Sequence, residues 1–170
     1  MNYYVTGFIG SDRIGCAQKL AAENGLTFMD MNSEIGRRDG RTVLRIVMSM
    51  GEHELHNKEY ELLQWLGSPE AAAVSPSGFA VACGDGILFD SDCRELMEKG
   101  TVVIADPVAS PSELWTAASA DEGIPYAFMS LLQIRIRRAL FCTSRKHPSA
   151  CRQAPTYPSR ASRSPGDPFS

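Results

Sequence analysis

Thirteen residues near the start of the chain, Tyr3-Tyr4-Val5-Thr6-Gly7-Phe8-Ile9-Gly10-Ser11-Asp12-Arg13-Ile14-Gly15, have the types and order of a phosphate-binding turn. A short apolar run enters the glycines, and a helical pattern leaves them through Cys16, Ala17, Leu20 and Ala21. Glycines let backbone N–H groups approach an anion, and a helix N-terminus adds unsatisfied N–H groups and the positive end of its dipole. The working pattern is G-x-x-x-x-G-K-[ST], whose lysine reaches the outer phosphates and whose hydroxyl holds Mg²⁺. Laid on it without gaps, Gly7 supplies the first glycine, while Asp12, Arg13 and Ile14 stand where G, K and S/T belong. The layout is that of a phosphate loop; its chemistry is altered. Spacing alone also suits a plain strand-to-helix turn.

Further chemistry-bearing residues lie at Asp30 and Asn32, in the stretch Gly51-Glu52-His53-Glu54-Leu55-His56-Asn57-Lys58-Glu59, and at Cys83-Gly84-Asp85-Gly86. Each has a bland reading as well. Asp30 suits the cap of a following helix. Glu52, Glu54 and Glu59 suit a solvated helix face, as do Arg37 and Arg38, and His56 a surface or capping position. Three histidines without paired spacing supply no metal site.

The elements that must position these residues alternate between strand and helix. Strands are expected over Tyr3–Phe8, Leu26–Asp30, Phe79–Cys83 and Thr101–Ala105, the last being the most continuous apolar run. A first helix is expected over Asp12–Asn24 with Gly25 as its C-cap, and a short one from Ser33 to near Gly40. Thr42 suits the N-cap of a helix through Met50, and Gly51-Glu52 interrupts it before a second stretch through Leu66. Gly67-Ser68-Pro69 and Ser75–Gly78 read as turns, Cys93–Lys99 as a short helix, and Ser110 or Ser112 as the cap of another. Alternating strands and helices with near-continuous apolar strands predict an α/β fold, three layers around a mostly parallel sheet of about five strands. Ligands of such sheets bind at the carboxyl ends of the strands. Gly7–Ile14, Asp30 and Gly84–Gly86 all fall there and are expected to share one crevice.

The 170 residues suit one α/β domain with a sizeable core. No run approaches the roughly 20 apolar residues that span a bilayer, and the N-terminus reads as lacking a secretion signal. The cysteines at 16, 83, 93, 142 and 151 are odd in number and unpaired in spacing, which suits reduced thiols in a cytoplasmic protein. Residues 1–130 carry 9 Lys/Arg against 19 Asp/Glu, whereas residues 131–170 carry 8 against 1. From Thr143 onward, 6 of 28 residues are Ser, 5 Pro and 5 Lys/Arg, and apolar periodicity disappears. Such a segment cannot bury enough surface to offset its ordering entropy. The expected division is therefore a domain over 1–130 and a basic, poorly ordered tail over 131–170. Without dense basic runs interleaved with aromatics, the tail does not read as a nucleic-acid arm.

Taken in order, the motifs resemble the shikimate kinase family, small P-loop kinases of the nucleoside-monophosphate-kinase fold. Gly7-Phe8-Ile9-Gly10 resembles the family's G-F-M-G. Gly25-Leu26-Thr27-Phe28-Met29-Asp30-Met31-Asn32 resembles G-L-P-F-x-D-x-D, with Glu34-Ile35 and Arg37-Arg38 after it. Gly51–Glu59 resembles G-E-x-x-F-R-x-x-E, Cys83–Gly86 resembles T-G-G-G, and Glu98–Val103 the strand entry that follows. The resemblance runs from Tyr3 to about Trp115.

The resemblance implies transfer of the ATP γ-phosphate, with Mg²⁺, to the 3-hydroxyl of shikimate in aromatic amino-acid biosynthesis, by a cytoplasmic monomer. It places nucleotide binding at Gly7, Gly10, Ser11, Asp12, Arg13, Ile14 and Gly15. Substrate binding falls at Asp30, Asn32, His56, Gly84, Asp85 and Gly86, and catalysis at Arg13 and Asp30. Arg13 keeps the charge of the phosphate lysine but not its compact shape, and Ile14 cannot ligate a hard cation. Asp12 and Asp85 add carboxylates where anions should lie, Asn32 replaces an acid, and His56 replaces the arginine that pairs with the shikimate carboxylate. The segment after Trp115, where the family has a lid with R-P-L-L, carries no basic residue through Tyr126. Three readings stay open: a kinase working through Arg13, a non-catalytic homologue serving as a binding or regulatory module, and a truncated or frameshifted remnant.

Overall fold

The computed structural model describes residues 1–7, 11–84 and 86–105, together with the backbone of 152–153. Its first strand, β1 (Tyr3–Thr6), leads into helix α1 (Arg13–Asn24), and strand β2 (Thr27–Asp30) follows. Three helices come next: α2 (Met31–Asp39), α3 (Val43–Met50) and α4 (Glu52–Leu66). A short helix α5 (Pro69–Val74) precedes strand β3 (Phe79–Ala82), and a single 3-10 turn over Ile87–Phe89 leads to helix α6 (Ser91–Met97) and strand β4 (Thr101–Ile104). Residues 152–153 form β5.

The strands lie in the order β2-β3-β1-β4-β5, and every pairing is parallel. The register sets Val5 beside Ala82 and Val103, so the chain leaves β1, β3 and β4 at the same edge of the sheet. Alternation then sorts the side chains between two faces. Tyr4, Val81, Val102 and Ile104 enter a large core with α2, α3, α4 and α6. Val5, Ala82 and Val103 enter a smaller one with Cys16 and Ala17 of α1. Helices on both faces make the three-layer α/β architecture that the strand–helix alternation predicts.

Local chemistry sets the boundaries. Asp12 caps α1, Asp30 caps α2, Thr42 caps α3 and Asp90 caps α6, each accepting a backbone N–H. Gly25 and Gly40 close α1 and α2 in the left-handed conformation, which a side chain would strain. Helix α2 begins at Met31, two residues before the Ser33 start expected, because the cap is Asp30, at the very end of β2. Helix α5 stands where only turns were expected: Ser68 caps it and Pro69 fills its first position, where a missing N–H is harmless. Helix α6 likewise begins earlier than Cys93. The expected cap at Ser110 or Ser112 lies outside the described residues, as does the expected tail apart from β5.

Candidate functional site

Arg13, Asp30, Asn32, His56, Glu59, Gly84 and Gly86 stand at the carboxyl ends of β1, β2 and β3, or on helices that cross that edge. The donor-side loop is described at Gly7 and from Ser11 onward. Asp12 is the N-cap of α1: Gly15 N–H donates to its Oδ1 at 2.9 Å, and Cys16 N–H to its carbonyl at 3.0 Å. A Cβ at residue 15 would run into Asp12 Oδ2, so the absence of a side chain at Gly15 lets the carboxylate fold onto the helix end. The helix N-terminus therefore already carries an anion of its own.

Arg13 is half-buried and turns inward, its Nη1 donating to the Cys83 carbonyl at 3.2 Å. That bond ties the loop to the end of β3. Ile14 points outward with 48% of its surface exposed, and it offers no oxygen where a Mg²⁺ hydroxyl would stand. Ser11 Oγ is buried without a hydrogen-bond partner, close to the place a Cβ on Gly7 would occupy. Gly10 and Asp85 lie outside the described residues.

On the acceptor side, Asp30 spends both carboxylate oxygens on the start of α2: Oδ1 accepts from Asn32 N–H at 3.3 Å and Oδ2 from Ser33 Oγ at 2.5 Å. The capping role is thus realised, and Ser33 is a partner that the motif did not point to. A carboxylate has about four acceptor sites, so two remain for a ligand.

Behind it lies an ion pair between His56 and Glu59, Nδ1 to Oε2 at 2.7 Å, one helical turn apart on α4. The Glu59 side chain is 1% exposed, which corrects its reading as part of a solvated face. Its other oxygen, Oε1, lies against Gly84, where any Cβ would collide with it, and Asn32 Oδ1 flanks the same point. Gly84 is buried, and its carbonyl accepts a 3.5 Å bond from the buried Thr6 Oγ1. Gly86, also buried, precedes the 3-10 turn. The sequence pattern names Gly84, His56 and Glu59; that Glu59 is buried and joins the other two is seen only in three dimensions.

The electrostatics follow from these contacts. The hydrogen bond to Glu59 raises the His56 pKa, burial opposes the rise, and the charges of Glu59, Asp90 and Glu52 add to it. The ring is therefore an imidazolium to a higher pH than a free histidine. Burial pushes the Cys83 and Cys93 thiols far up, so both stay protonated. Cys93 Sγ contacts the His56 carbonyl at 3.9 Å, fixing α6 against α4.

The second pair of arginines does more than face solvent. Glu34 accepts from both Arg37 and Arg38, which lower its pKa to about 2, and Arg38 also lies 4.5 Å from the Trp65 ring. Arg37 is solvated as expected, with 71% of its side chain exposed. Arg38 instead clamps α2 onto α4. No cluster of three or more His, Cys, Asp or Glu that could hold a metal occurs among the described residues, and none of their helices is long and apolar enough to cross a membrane.

A model of the shikimate kinase family matches residues 14–123. The chain belongs to the shikimate kinase family. The match begins at Ile14, just past Asp12-Arg13. Among relatives, the bifunctional shikimate kinase/3-dehydroquinate synthase of Thermotoga maritima is 35% identical over 99 residues, 58% of this chain and 19% of that protein. The shikimate kinase of Chlorobium limicola is 33% identical over 101 residues, 59% of this chain and 47% of the other. The aligned region thus spans half or less of either relative. Shikimate kinase from Acinetobacter baumannii in complex with shikimate superposes with a TM-score of 0.77 at 21% identity, covering 94% of this chain and 86% of that one. The Aquifex aeolicus shikimate kinase gives 0.61 at 21% identity, with 84% and 83% covered. These likenesses bear out the three-layer kinase fold.

Proposed function

We propose that this member of the shikimate kinase family does not transfer phosphate, and that it acts as a non-catalytic homologue whose acceptor crevice still binds a small shikimate-like ligand. One observation carries the reading: the Asp12 carboxylate caps α1 through Gly15 N–H, at the helix end where a phosphate loop needs free donors. Phosphoryl transfer asks a protein mainly to position and neutralise the transferred group. Here an exposed carboxylate stands at that helix end, and two like charges 4 Å apart repel by about 4 kcal/mol at an effective dielectric near 20, less in salt.

The residues present do not fit MgATP. ATP and Mg²⁺ are the family's ordinary donor and metal, but Ile14 has no ligand for the ion, and Arg13 is turned onto the Cys83 carbonyl. Among the described residues, Ser11 Oγ is a buried side-chain oxygen of the loop without a hydrogen-bond partner. The acceptor side supports ligand binding better. Asp30 uses two of its acceptor sites within α2, and Glu59, which holds His56, lies with Asn32 against Gly84 at the end of β3.

Complementation of a shikimate-kinase-deficient bacterium tests the reading. No growth without aromatic supplements is expected. Growth that Asp30→Ala abolishes would overturn it.

A further inference from the structure

Helix α2 is fastened at both ends. At its start Asp30 caps it, and Asn32 Oδ1 lies with Glu59 Oε1 around the place a Cβ on Gly84 would occupy. At its end two consecutive residues reach across to α4. Arg38 lies 4.5 Å from the Trp65 ring centroid, and Asp39 Oδ2 holds Lys58 Nζ at 2.8 Å. Lys58 and Trp65 are seven positions apart, so the two contacts fall on one face of α4, about 10 Å apart along its axis. One contact would let α2 pivot on α4; two contacts at this separation fix the angle at which it crosses.

Each contact is itself held in place. Glu34, one turn earlier on α2, accepts from Arg38 Nε at 2.7 Å and so orients the guanidinium. Trp65 packs in turn on Phe79 at the start of β3, ring centroids 5.9 Å apart. Asp39 has only 8% of its side chain exposed and also accepts from Arg41 Nη2 at 3.0 Å, while Lys58 lies 3.5 Å from Glu54 as well. A carboxylate this sheltered depends on its cations. The two helices joined here are the ones that bring Asn32 and Glu59 together, and Glu59 follows Lys58 directly in the chain.

We infer that Arg38 and Asp39, through Trp65 and Lys58, are positioning residues for the acceptor crevice: they set the placement of Asp30 and Asn32 relative to Glu59 and Gly84, and with it the affinity for a small shikimate-like ligand. They act through α2, from the end opposite the crevice. This role rests on the reading that the crevice binds such a ligand, but not on the absence of phosphate transfer. It is separable from general stability, because the smaller core of Val5, Cys16, Ala17, Ala82 and Val103 shares no residue with the clamp.

The test uses shikimate as the probe and the full chain as the protein. In calorimetric titrations, Arg38→Leu and Lys58→Met are each expected to weaken binding about 2- to 30-fold. Lys58→Arg keeps the ion pair and is expected to bind as the original chain does. Val103→Ala removes core packing beside α1 and is expected to leave the affinity unchanged although it costs stability. A second measurement needs no ligand: in Arg38→Leu the Asn32 and Gly84 amide resonances are expected to shift, although Arg38 stands at the other end of α2. Unchanged affinity in both clamp variants, equal weakening by Val103→Ala, or resonance shifts confined to the surroundings of Trp65 would each overturn the inference and leave the reading of the crevice standing. No binding of shikimate by the original chain would overturn both.

Discussion

The two sides of the crevice have departed from the family pattern in different ways. At the start of α1, Asp12 takes the Gly15 amide and Arg13 reaches the Cys83 carbonyl. At the ends of β2 and β3, Asp30 caps the following helix and Gly84 lies against a buried carboxylate that is paired with His56. A crevice that buries Glu59 beneath Gly84 keeps its shape only while every partner is in place. Substitution should therefore produce different responses: a change at the buried Glu59 costs much stability, while a change at Asp12 costs less and also alters anion binding.

The largest effect is expected from Glu59→Ala. Removing one partner of a buried pair typically costs about 3–5 kcal/mol, and here it also leaves a void beneath Gly84. Urea denaturation should show a loss of at least ~3 kcal/mol. A loss below ~1 kcal/mol would mean that the acceptor frame does not depend on this carboxylate.

A smaller effect is expected from Asp12→Ala, because an N-cap is worth about 1 kcal/mol. The sign of its second consequence distinguishes the two sides. With the carboxylate gone, inorganic phosphate should stabilise the variant against heat more than it stabilises the original chain. Equal stabilisation of both would remove the argument that Asp12 competes with anions.

The smallest effect is a pH dependence. The His56 pKa is raised in the folded protein, so its stabilising contribution is complete below the unfolded value near ~6.5 and is lost as pH rises through the folded value. Denaturation midpoints should fall between about pH 6.5 and the folded pKa, and His56→Gln should flatten that part of the profile. A midpoint that rises over the same window would contradict the sign.

Much of this was legible in the residues. The caps at Thr42 and Asp30, the C-cap at Gly25, the end of α2 near Gly40, and the four longer parallel strands follow from local chemistry and apolar runs. The placement of Asp30 and Gly84 at the carboxyl ends of the strands follows from parallel topology. What escaped is of one kind. Glu59 sits in an acidic, helix-forming stretch where nothing local separates a buried face from a wet one, and its burial depends on Gly84, 25 positions later. Arg38 looks like its neighbour Arg37 until α4 brings Trp65 across. The competition between Asp12 as a charge facing phosphates and Asp12 as a helix cap is settled by Gly15, whose missing side chain makes the cap possible.

The central claim, that the donor loop is closed to nucleotide by its own residues, is tested most directly by calorimetric titration of the full chain with MgATP, alongside the triple substitution Asp12→Gly, Arg13→Lys, Ile14→Ser. The account predicts affinity weaker than about millimolar for the original chain, equivalent to less than ~4 kcal/mol. It predicts a gain of at least tenfold for the substituted one, about 1.4 kcal/mol or more. Micromolar binding of MgATP by the unaltered chain would contradict it.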